Sequence, residues 1–370
     1  MKKSKNEETA LVLGLVAPLG VNINKVIDRI KETFSVNGWS VFVVRASELI
    51  EGNTGIDGYE HDRIDKLMTL GDKMREQNDD SGILAKKAIA AIYKERGDKI
   101  GVKKVFLINS LKHPDEAVVL RSVYGQGFVQ VGLYQKYEQR KRNLLERVAE
   151  SMKTSDAKDL EPKIEELMIR DERQPDNNFG QSVIKIFHRS HYFIDVNDGR
   201  NSGSQVARFR DLLMGKNFIT PTKDELGQFF ARAISLKSSD LSRQVGCCIM
   251  SGEGEIISKG CNEVPVFGGG YNWDGIYGDI DGKNYSKDLR DFRRGYDYNQ
   301  RQKLRIFEEI FREMKENEYL SEKFKNMEVS EIVQEAFIGD KSFVDNTRAG
   351  SLLESVRDHS AGLESLLSMR

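Results

Sequence analysis

The chain has 370 residues, a formal net charge of −1 and three cysteines, two of which are adjacent. That length is sufficient for two domains, and the balanced charge provides no basic field, so nucleic acid is not expected as a partner. Three cysteines do not form a disulfide framework, and no apolar run reaches the roughly 18–20 residues needed to cross a bilayer. We therefore expect a cytoplasmic protein without a membrane span.

The first predicted unit is a strand, a helix and a second strand. The apolar run at residues 11–17 predicts a buried strand, and a short loop follows it and ends at Gly20. Asn22 is placed to cap a helix over residues 23–36. The run at 39–45 predicts the next strand. This order is typical of a βαβ unit with a parallel sheet, in which the loop after the first strand can bind phosphate through its backbone amides.

The loop departs from the phosphate-binding pattern G-x-x-x-x-G-K-[ST]. Gly14 and Gly20 are one position too far apart, and Val21 and Asn22 stand where that pattern has its Lys and its Ser or Thr. Lys25 could reach back toward a phosphate, although a lysine on an exposed helix is more often solvated surface. Nucleotide binding by Gly14, Gly20, Asn22 and Lys25 is therefore one open interpretation, whereas phosphoryl transfer is not expected.

Further elements extend this domain: helices over 59–78 and 82–96, and strands over 104–109 and 128–133. Asp115 and Glu116 follow the 104–109 strand and could hold a metal ion. The alternative is that they begin a helix over 116–123, where negative charge suits the helix dipole. We favour the helix start.

The middle of the chain changes in composition. Residues 138–169 are highly charged with regularly spaced Leu and Met, which predicts helices, whereas 171–180 has the composition of a loop. We therefore divide the chain into a first domain over 1–170, a connecting segment over 171–219, part of which packs back on the first sheet, and a second domain over 220–370.

Two groups of side chains in this middle region have alternative interpretations. The run Arg140, Lys141 and Arg142 could steer phosphates, but a charge run is usually a solvated helix face. His188 and His191 have a spacing that could suit a metal ion. No nearby Cys or acidic triad completes such a site, so we favour ordinary packing and hydrogen bonding.

The second domain opens with a helix over 223–239, which has Pro221 near its first turn. Strands at 245–250 and 256–259 flank a glycine-rich turn and predict a β-hairpin. The glycine-rich loop over 260–270 leaves the end of the second strand, which is a good location for a small-molecule pocket. Two amphipathic helices are predicted further on, over 300–318 and 320–337.

The pieces of this segment resemble, in order, the first hairpin of the zinc-dependent cytidine and deoxycytidylate deaminases. The matching residues are 238–243, Val245-Gly246, GEII at 254–257 and GCNEVP at 260–265. The N-terminal half resembles the kinase-like domain of two-domain bacterial deoxycytidylate deaminases linked to antiphage defence. The residues that carry this second resemblance are 14–26, 70–85 and 112–125.

The resemblance implies an α/β protein with an N-terminal P-loop-like parallel-sheet domain and an incomplete C-terminal cytidine-deaminase-like domain. The implied activity is hydrolytic deamination of dCMP or dCTP, with zinc as cofactor and deoxycytidine nucleotides as substrates. A second nucleotide would bind the N-terminal domain, and the chain would form a homo-oligomer. Asn262 would hold the sugar, Arg243 would meet a phosphate, and Glu263 would belong to the same substrate site. The alternatives are turn capping for Asn262 and a surface ion pair for Arg243.

The metal-binding half of that family's site is missing from the pattern. The family supplies zinc ligands and a proton shuttle with H-x-E and P-C-x-x-C, and the sequence contains no P-C-x-x-C. In the region 352–370, which resembles the H-x-E helix, the ligand position falls on Ser360 and the proton-shuttle position on Gly362. His359 is at best a single ligand, and one ligand does not bind zinc.

Two classes of function are therefore expected. One is a deoxycytidine-nucleotide deaminase present as a truncated or degenerate, impaired copy. The other is a non-catalytic nucleotide-binding or regulatory protein on the same fold. A kinase or nucleotide hydrolase built on residues 1–150 is a distant third.

Overall fold

In the computed structural model, the chain divides into two units, Met1–Ile219 (the N-terminal unit) and Thr220–Arg370 (the C-terminal unit). The described residues are 10–51, 58–97, 103–154, 158–174, 177–197, 201–238, 240–241, 243–262, 273, 277–280, 283–286 and 295–337. Within these ranges, no helix combines the length and the apolar character that a membrane span requires.

Five strands form the sheet of the N-terminal unit: β1 (Ala10–Val16), β2 (Ser40–Arg45), β3 (Lys104–Asn109), β4 (Phe128–Tyr134) and β5 (Tyr192–Asp195). All are parallel and lie in the order β2–β3–β1–β4–β5. In this register, Leu13 lies opposite Leu107 on one side and Val129 on the other. The sheet is consistent with the predicted P-loop-like domain, and all its strands end at one edge, where such folds place their ligands.

Helices cover both faces of this sheet: α1 (Ile23–Ser35), α2 (Ala46–Glu51), α3 (Glu60–Gln77), α4 (Ile83–Arg96), α5 (Pro114–Tyr124), α6 (Tyr137–Met152), α7 (Glu161–Glu172), α8 (Val183–Phe187) and α9 (Asn201–Leu213). Side chains alternate between the faces along a strand. Leu13 and Leu15 of β1 therefore pack with α1 and α9, whereas Val12 and Val16 pack with α4, α5 and α8.

A smaller apolar cluster joins α3, α6 and α7, with Met68, Leu144 and Ile164 among its buried members. Leu19, from the loop after β1, packs against this cluster. The three helices are therefore held beside the loop that the sequence marked as the candidate phosphate site.

The segment 171–219, predicted as a connection, contributes structure to the N-terminal unit. It contains β5, which pairs with β4, and α9, which packs on α1. The unit boundary falls after Ile219.

The C-terminal unit contains α10 (Lys223–Ser235), β6 (Gly246–Met250), β7 (Ile256–Cys261), β8 (Tyr277–Ile280), β9 (Lys283–Ser286), α11 (Tyr298–Glu316), α12 (Glu322–Lys325) and α13 (Val329–Phe337). Thr222 and Glu225 form a capping box at the start of α10. Strands β6 and β7 pair as an antiparallel hairpin. Helix then hairpin is the predicted order of elements, although α10 ends at Ser235 and not at residue 239.

Candidate functional site

Two neighbouring cavities lie at the carboxyl edge of the parallel sheet. One has a volume of about 580 Å³ and is lined mainly by polar side chains; we call it the polar cavity. The other, the apolar cavity, has about 240 Å³ and includes Ile50, Leu67 and Met68 in its wall. Because Arg63 and Asn109 border both cavities, we treat them together as one cleft.

Three arginines line the polar cavity. Arg45 ends β2, Arg63 lies on α3 and Arg147 lies on α6. Glu60 pairs with both Arg63, at 3.5 Å, and Arg147. Ion pairing with Glu60 holds the guanidinium groups of Arg63 and Arg147 in place. Arg45 pairs with Glu48 at 3.7 Å. A guanidinium group carries five N–H groups in a fixed geometry that matches phosphate oxygens.

The loop between β1 and α1 forms another wall of the polar cavity, with Gly20 and Asn22 at its border. Gly20 has φ = +88°, and a Cβ at this position would lie 2.4 Å from the backbone oxygen of Arg140. Asn143 on α6 donates to the Gly20 carbonyl at 3.0 Å and to Gln135 Oε1 at 3.1 Å. The loop is therefore pressed closely onto α6, and only glycine fits at its tightest point.

The backbone amides of Leu19, Val21 and Asn22 in this loop already have acceptors within the protein. Leu19 N–H donates to Asp171 Oδ2 at 2.7 Å, and Asn22 N–H donates to Gln135 Oε1 at 3.3 Å. Val21 N–H donates to the Pro18 carbonyl at 3.2 Å. In a loop that cradles phosphate, by contrast, the amides point at the ligand.

The predicted nucleotide-binding residues of the N-terminal domain do not all meet at the cleft. Gly20 and Asn22 border it, but Gly14 is buried within β1, where a Cβ would lie 2.7 Å from Leu111. Lys25 is exposed and borders a different cavity, together with Asp28. Asn22 occupies the N-cap position of α1 without a capping hydrogen bond from its side chain.

In the C-terminal unit, Asn262 lies just after β7 and is almost fully buried. Its Nδ2 donates to the Arg243 carbonyl and its Oδ1 accepts from Val245 N–H, both at 2.7 Å. Ser238 Oγ donates to the Asn262 carbonyl at 2.5 Å. The Asn262 side chain therefore caps the turn, which was the alternative interpretation of this residue. Binding of a sugar by Asn262 stays a prediction.

The other predicted residues of the deaminase-like site give less information. Arg243 is exposed, and its backbone N–H donates to Asp240 Oδ1 at 3.1 Å. Glu263, His359 and Gly362 lie outside the described residues.

A zinc site does not form among the described residues, where no three His, Cys, Asp or Glu side chains come together as a group that could bind a metal. Cys247 and Cys248 are neighbours in β6, so their side chains point to opposite faces. Burial, followed by the nearby Cys247, raises the pKa of the Cys248 thiol and disfavours the thiolate that would bind metal. The groups present in this part of the chain do not fit zinc.

The competing interpretations from the middle of the chain are now resolved for several residues. Glu116 lies in the first turn of α5 and pairs with Arg75, so it begins a helix as predicted. Arg140 binds Glu172, and Lys141 binds Glu165, each as an ion pair. His191 Nδ1 lies 2.9 Å from the backbone nitrogen of Gln130, which fits the predicted packing and hydrogen-bonding role.

Sequence reasoning missed the charged residues that define the cleft. Arg45 could have been found, because it ends a predicted strand at the ligand-binding edge. Arg63, Arg147 and Asp171 carry no such signal, because they lie on three helices whose arrangement depends on tertiary packing. Lys112 follows β3 and borders the apolar cavity.

Comparison with known proteins does not identify this chain. No protein-family model matches it, and no curated protein matches its sequence. Among solved structures, a gluconokinase from Sinorhizobium meliloti 1021 matches with 14% identity and a TM-score of 0.30, covering 57% of this chain and 99% of the gluconokinase. The Deinococcus radiodurans tunicamycin resistance protein matches with 12% identity and a TM-score of 0.27, at the same coverage of 57% and 99%. Scores of this size do not establish a shared fold or a shared function.

Proposed function

We propose that the N-terminal unit binds a nucleotide in the cleft at the carboxyl edge of its sheet. The observation that carries the proposal is that Arg45, Arg63 and Arg147 border the same cavity as the start of α1. Guanidinium groups form paired hydrogen bonds with phosphate oxygens, and the positive end of a helix dipole also favours an anion.

The apolar cavity provides a place for the base and sugar. Its aliphatic wall suits the face of a heterocycle, while Asn109, Ser110 and Gln181 supply polar groups. Gln181 is 7% exposed, and its carboxamide oxygen is buried with no hydrogen-bond partner. A buried polar atom of this kind favours a ligand that can satisfy it.

Binding without phosphoryl transfer is the form of the proposal that the residues support. Val21 and Asn22 replace the lysine and hydroxyl residue of the transfer motif. The amides of Leu19, Val21 and Asn22 are bonded within the protein. The N-terminal unit is therefore proposed as a nucleotide-binding regulatory module.

Calorimetric titration of the full chain with dCMP, dCTP, ATP and inorganic phosphate tests this proposal. Arg147→Ala should weaken nucleotide binding by about 10- to 100-fold, because a hydrogen bond to a charged group contributes roughly 1.5–3 kcal/mol. Arg142→Ala is the matched control, since Arg142 is exposed on the same helix and does not border the cleft. Absence of binding at millimolar nucleotide, or equal affinities of the two variants, would contradict the proposal.

Deamination of deoxycytidine nucleotides by the C-terminal unit is the second candidate. It is supported by the ordered motif from residue 238 to 265 and by the succession of α10, β6 and β7 around Asn262. Zinc analysis of the purified chain, with an assay for conversion of dCMP or dCTP to the deoxyuridine nucleotide, tests it. Stoichiometric zinc with turnover would establish the activity, and absence of both would leave the binding proposal as the function. The predicted homo-oligomer can be tested on the same sample by mass photometry.

A further inference from the structure

We propose that the loop after β1 and Lys112 together form a small oxyanion-binding site, which the chain fills with its own Asp171 carboxylate. This inference concerns the loop itself and does not depend on nucleotide binding in the neighbouring polar cavity.

Asp171 occupies the position of a bound anion. One carboxylate oxygen, Oδ2, accepts from Leu19 N–H at 2.7 Å, and the other, Oδ1, accepts from Lys112 Nζ at 2.7 Å. The Asp171 side chain is 0% exposed. Lys112 Nζ also donates to the Ala17 carbonyl at 3.0 Å, so the ammonium group is fixed against the same loop. A backbone amide and a lysine that converge on one anion are the donors expected in a phosphate-binding loop.

The arrangement accounts for the departure of the loop from the phosphate-binding pattern. The lysine comes from the loop between β3 and α5 and not from the position after Gly20. The anion comes from the last turn of α7. Because the Asp171 carboxylate already occupies the site, an external phosphate cannot bind to the loop. A phosphate of a ligand would instead bind to the arginines of the polar cavity.

Removing the carboxylate should expose a site that takes a small external anion. Leu19 N–H would lose its acceptor, and Lys112 would lose its counter-ion while still one-fifth exposed. The apolar cavity borders Leu19, Lys112 and Asp171, so it provides a route to the vacated space. Formate matches the missing carboxylate most closely, followed by acetate; inorganic phosphate tests whether the loop accepts a larger oxyanion.

Thermal unfolding of the full-length Asp171→Ala variant tests the site, with sodium formate, acetate or phosphate compared against sodium chloride at equal ionic strength. We expect a fall in Tm of roughly 10 °C, because one partner of a buried ion pair has been removed. We expect formate to recover part of that fall in a saturable way. The wild-type protein should respond equally to formate and chloride.

Two further variants make the test specific. Glu172→Ala removes the neighbouring carboxylate of α7, which pairs with Arg140 and is partly exposed, and it should show no formate-specific recovery. Combining Asp171→Ala with Lys112→Ala should abolish the recovery, because the ammonium group is absent. An Asp171→Ala protein that responds to formate no more than the wild type does would overturn the proposal.

If the Asp171→Ala protein does not fold, hydrogen exchange in the Asp171→Asn variant tests the same proposal. The amide of Leu19 should exchange at least about tenfold faster than in the wild type, because the charged acceptor has been neutralised. The amide of Leu226, which bonds to the Thr222 carbonyl in the C-terminal unit, should be unchanged. An unaltered rate at Leu19 would overturn the inference. Since no nucleotide is present in these experiments, their failure is distinguishable from failure of the proposed function.

Discussion

Arg75 and Glu116 form an ion pair at 2.9 Å in which the side chains are only 1% and 3% exposed. The pair joins α3 to the first turn of α5. Glu116 also accepts from the backbone N–H of Lys112 at 2.7 Å, so it fixes the residue whose ammonium group binds Asp171. The buried pair thus joins α3 to α5, and through Glu116 it also fixes the backbone of Lys112 beside the loop site.

Replacing Arg75 should destabilise the N-terminal unit strongly. Arg75→Met leaves Glu116 buried without a counter-ion, which costs about 3–5 kcal/mol of unfolding free energy. Urea unfolding measures this loss. Arg29→Met is the control, because Arg29 pairs with Glu32 at the surface and should cost less than about 1 kcal/mol. If the two substitutions lower the unfolding free energy equally, burial of the Arg75–Glu116 pair is not the cause of the loss.

Gly20→Ala should be far more damaging than Gly38→Ala. Both glycines have positive φ, +88° and +75°, which costs an alanine about 1–2 kcal/mol. At Gly20, the new Cβ would also lie 2.4 Å from the backbone oxygen of Arg140, whereas nothing lies within 4 Å at Gly38. We expect a loss of at least about 3 kcal/mol for Gly20→Ala in urea unfolding. Similar losses for both variants would show that the loop can move away from α6.

The stability of the N-terminal unit should fall as the pH decreases below neutral. Burial, followed by the charge of Arg75, lowers the pKa of His113 from its ordinary value of 6.5. The unfolded chain therefore binds a proton near pH 6.5, whereas the folded chain binds it only at lower pH. The contribution is fully present above pH 6.5 and is lost as the pH falls toward the folded pKa. His113 also caps α5 by accepting from Asp115 N–H at 3.3 Å, which protonation of Nδ1 would prevent.

The pH effect is measured by urea unfolding at pH 7, 6 and 5. His113→Asn keeps a good N-cap residue and should reduce the loss of stability on acidification. His188→Gln serves as the control, because His188 is exposed and outside this contact. The pH dependence of the unfolding free energy that remains in His113→Asn should include a contribution from His191. The pKa of His191 is also lowered, by burial and then by the charge of Arg121. If the unfolding free energy of His113→Asn depends on pH as strongly as that of the wild type, His113 is not a source of the loss of stability on acidification.

Asn262→Ala should destabilise the C-terminal unit by about 2–3 kcal/mol, because two buried hydrogen bonds of 2.7 Å to the backbone are lost. Asn317→Ala provides the comparison, since Asn317 makes one exposed side-chain bond to the Glu313 carbonyl at 2.8 Å. The measurement is urea unfolding followed by tryptophan fluorescence. Trp39 lies in the N-terminal unit and Trp273 in the other, so a Trp39→Phe background leaves Trp273 as the single tryptophan. If Asn262→Ala and Asn317→Ala are equally stable, Asn262 is not the residue that holds this turn.

Local patterns in the sequence predicted most of the elements. The strand over 104–109 has the predicted bounds, and α1 ends within one residue of its prediction. Such segments are specified by short-range periodicity and by residues at their ends, such as Thr222 before α10. The helices predicted over residues 138–169 are present as α6 and α7. The prediction was less accurate further on, where the single helix predicted over 320–337 is divided into α12 and α13.

By itself, then, the sequence determined most of the segments that become strands and helices. Only the tertiary structure decided that Arg45, Arg63 and Arg147 share one cavity, and that Asp171 fills the loop after β1. These residues are far apart along the chain, and the packing of α3, α6 and α7 brings them together. That packing depends on the collective burial of many apolar side chains. A local sequence pattern therefore does not predict it.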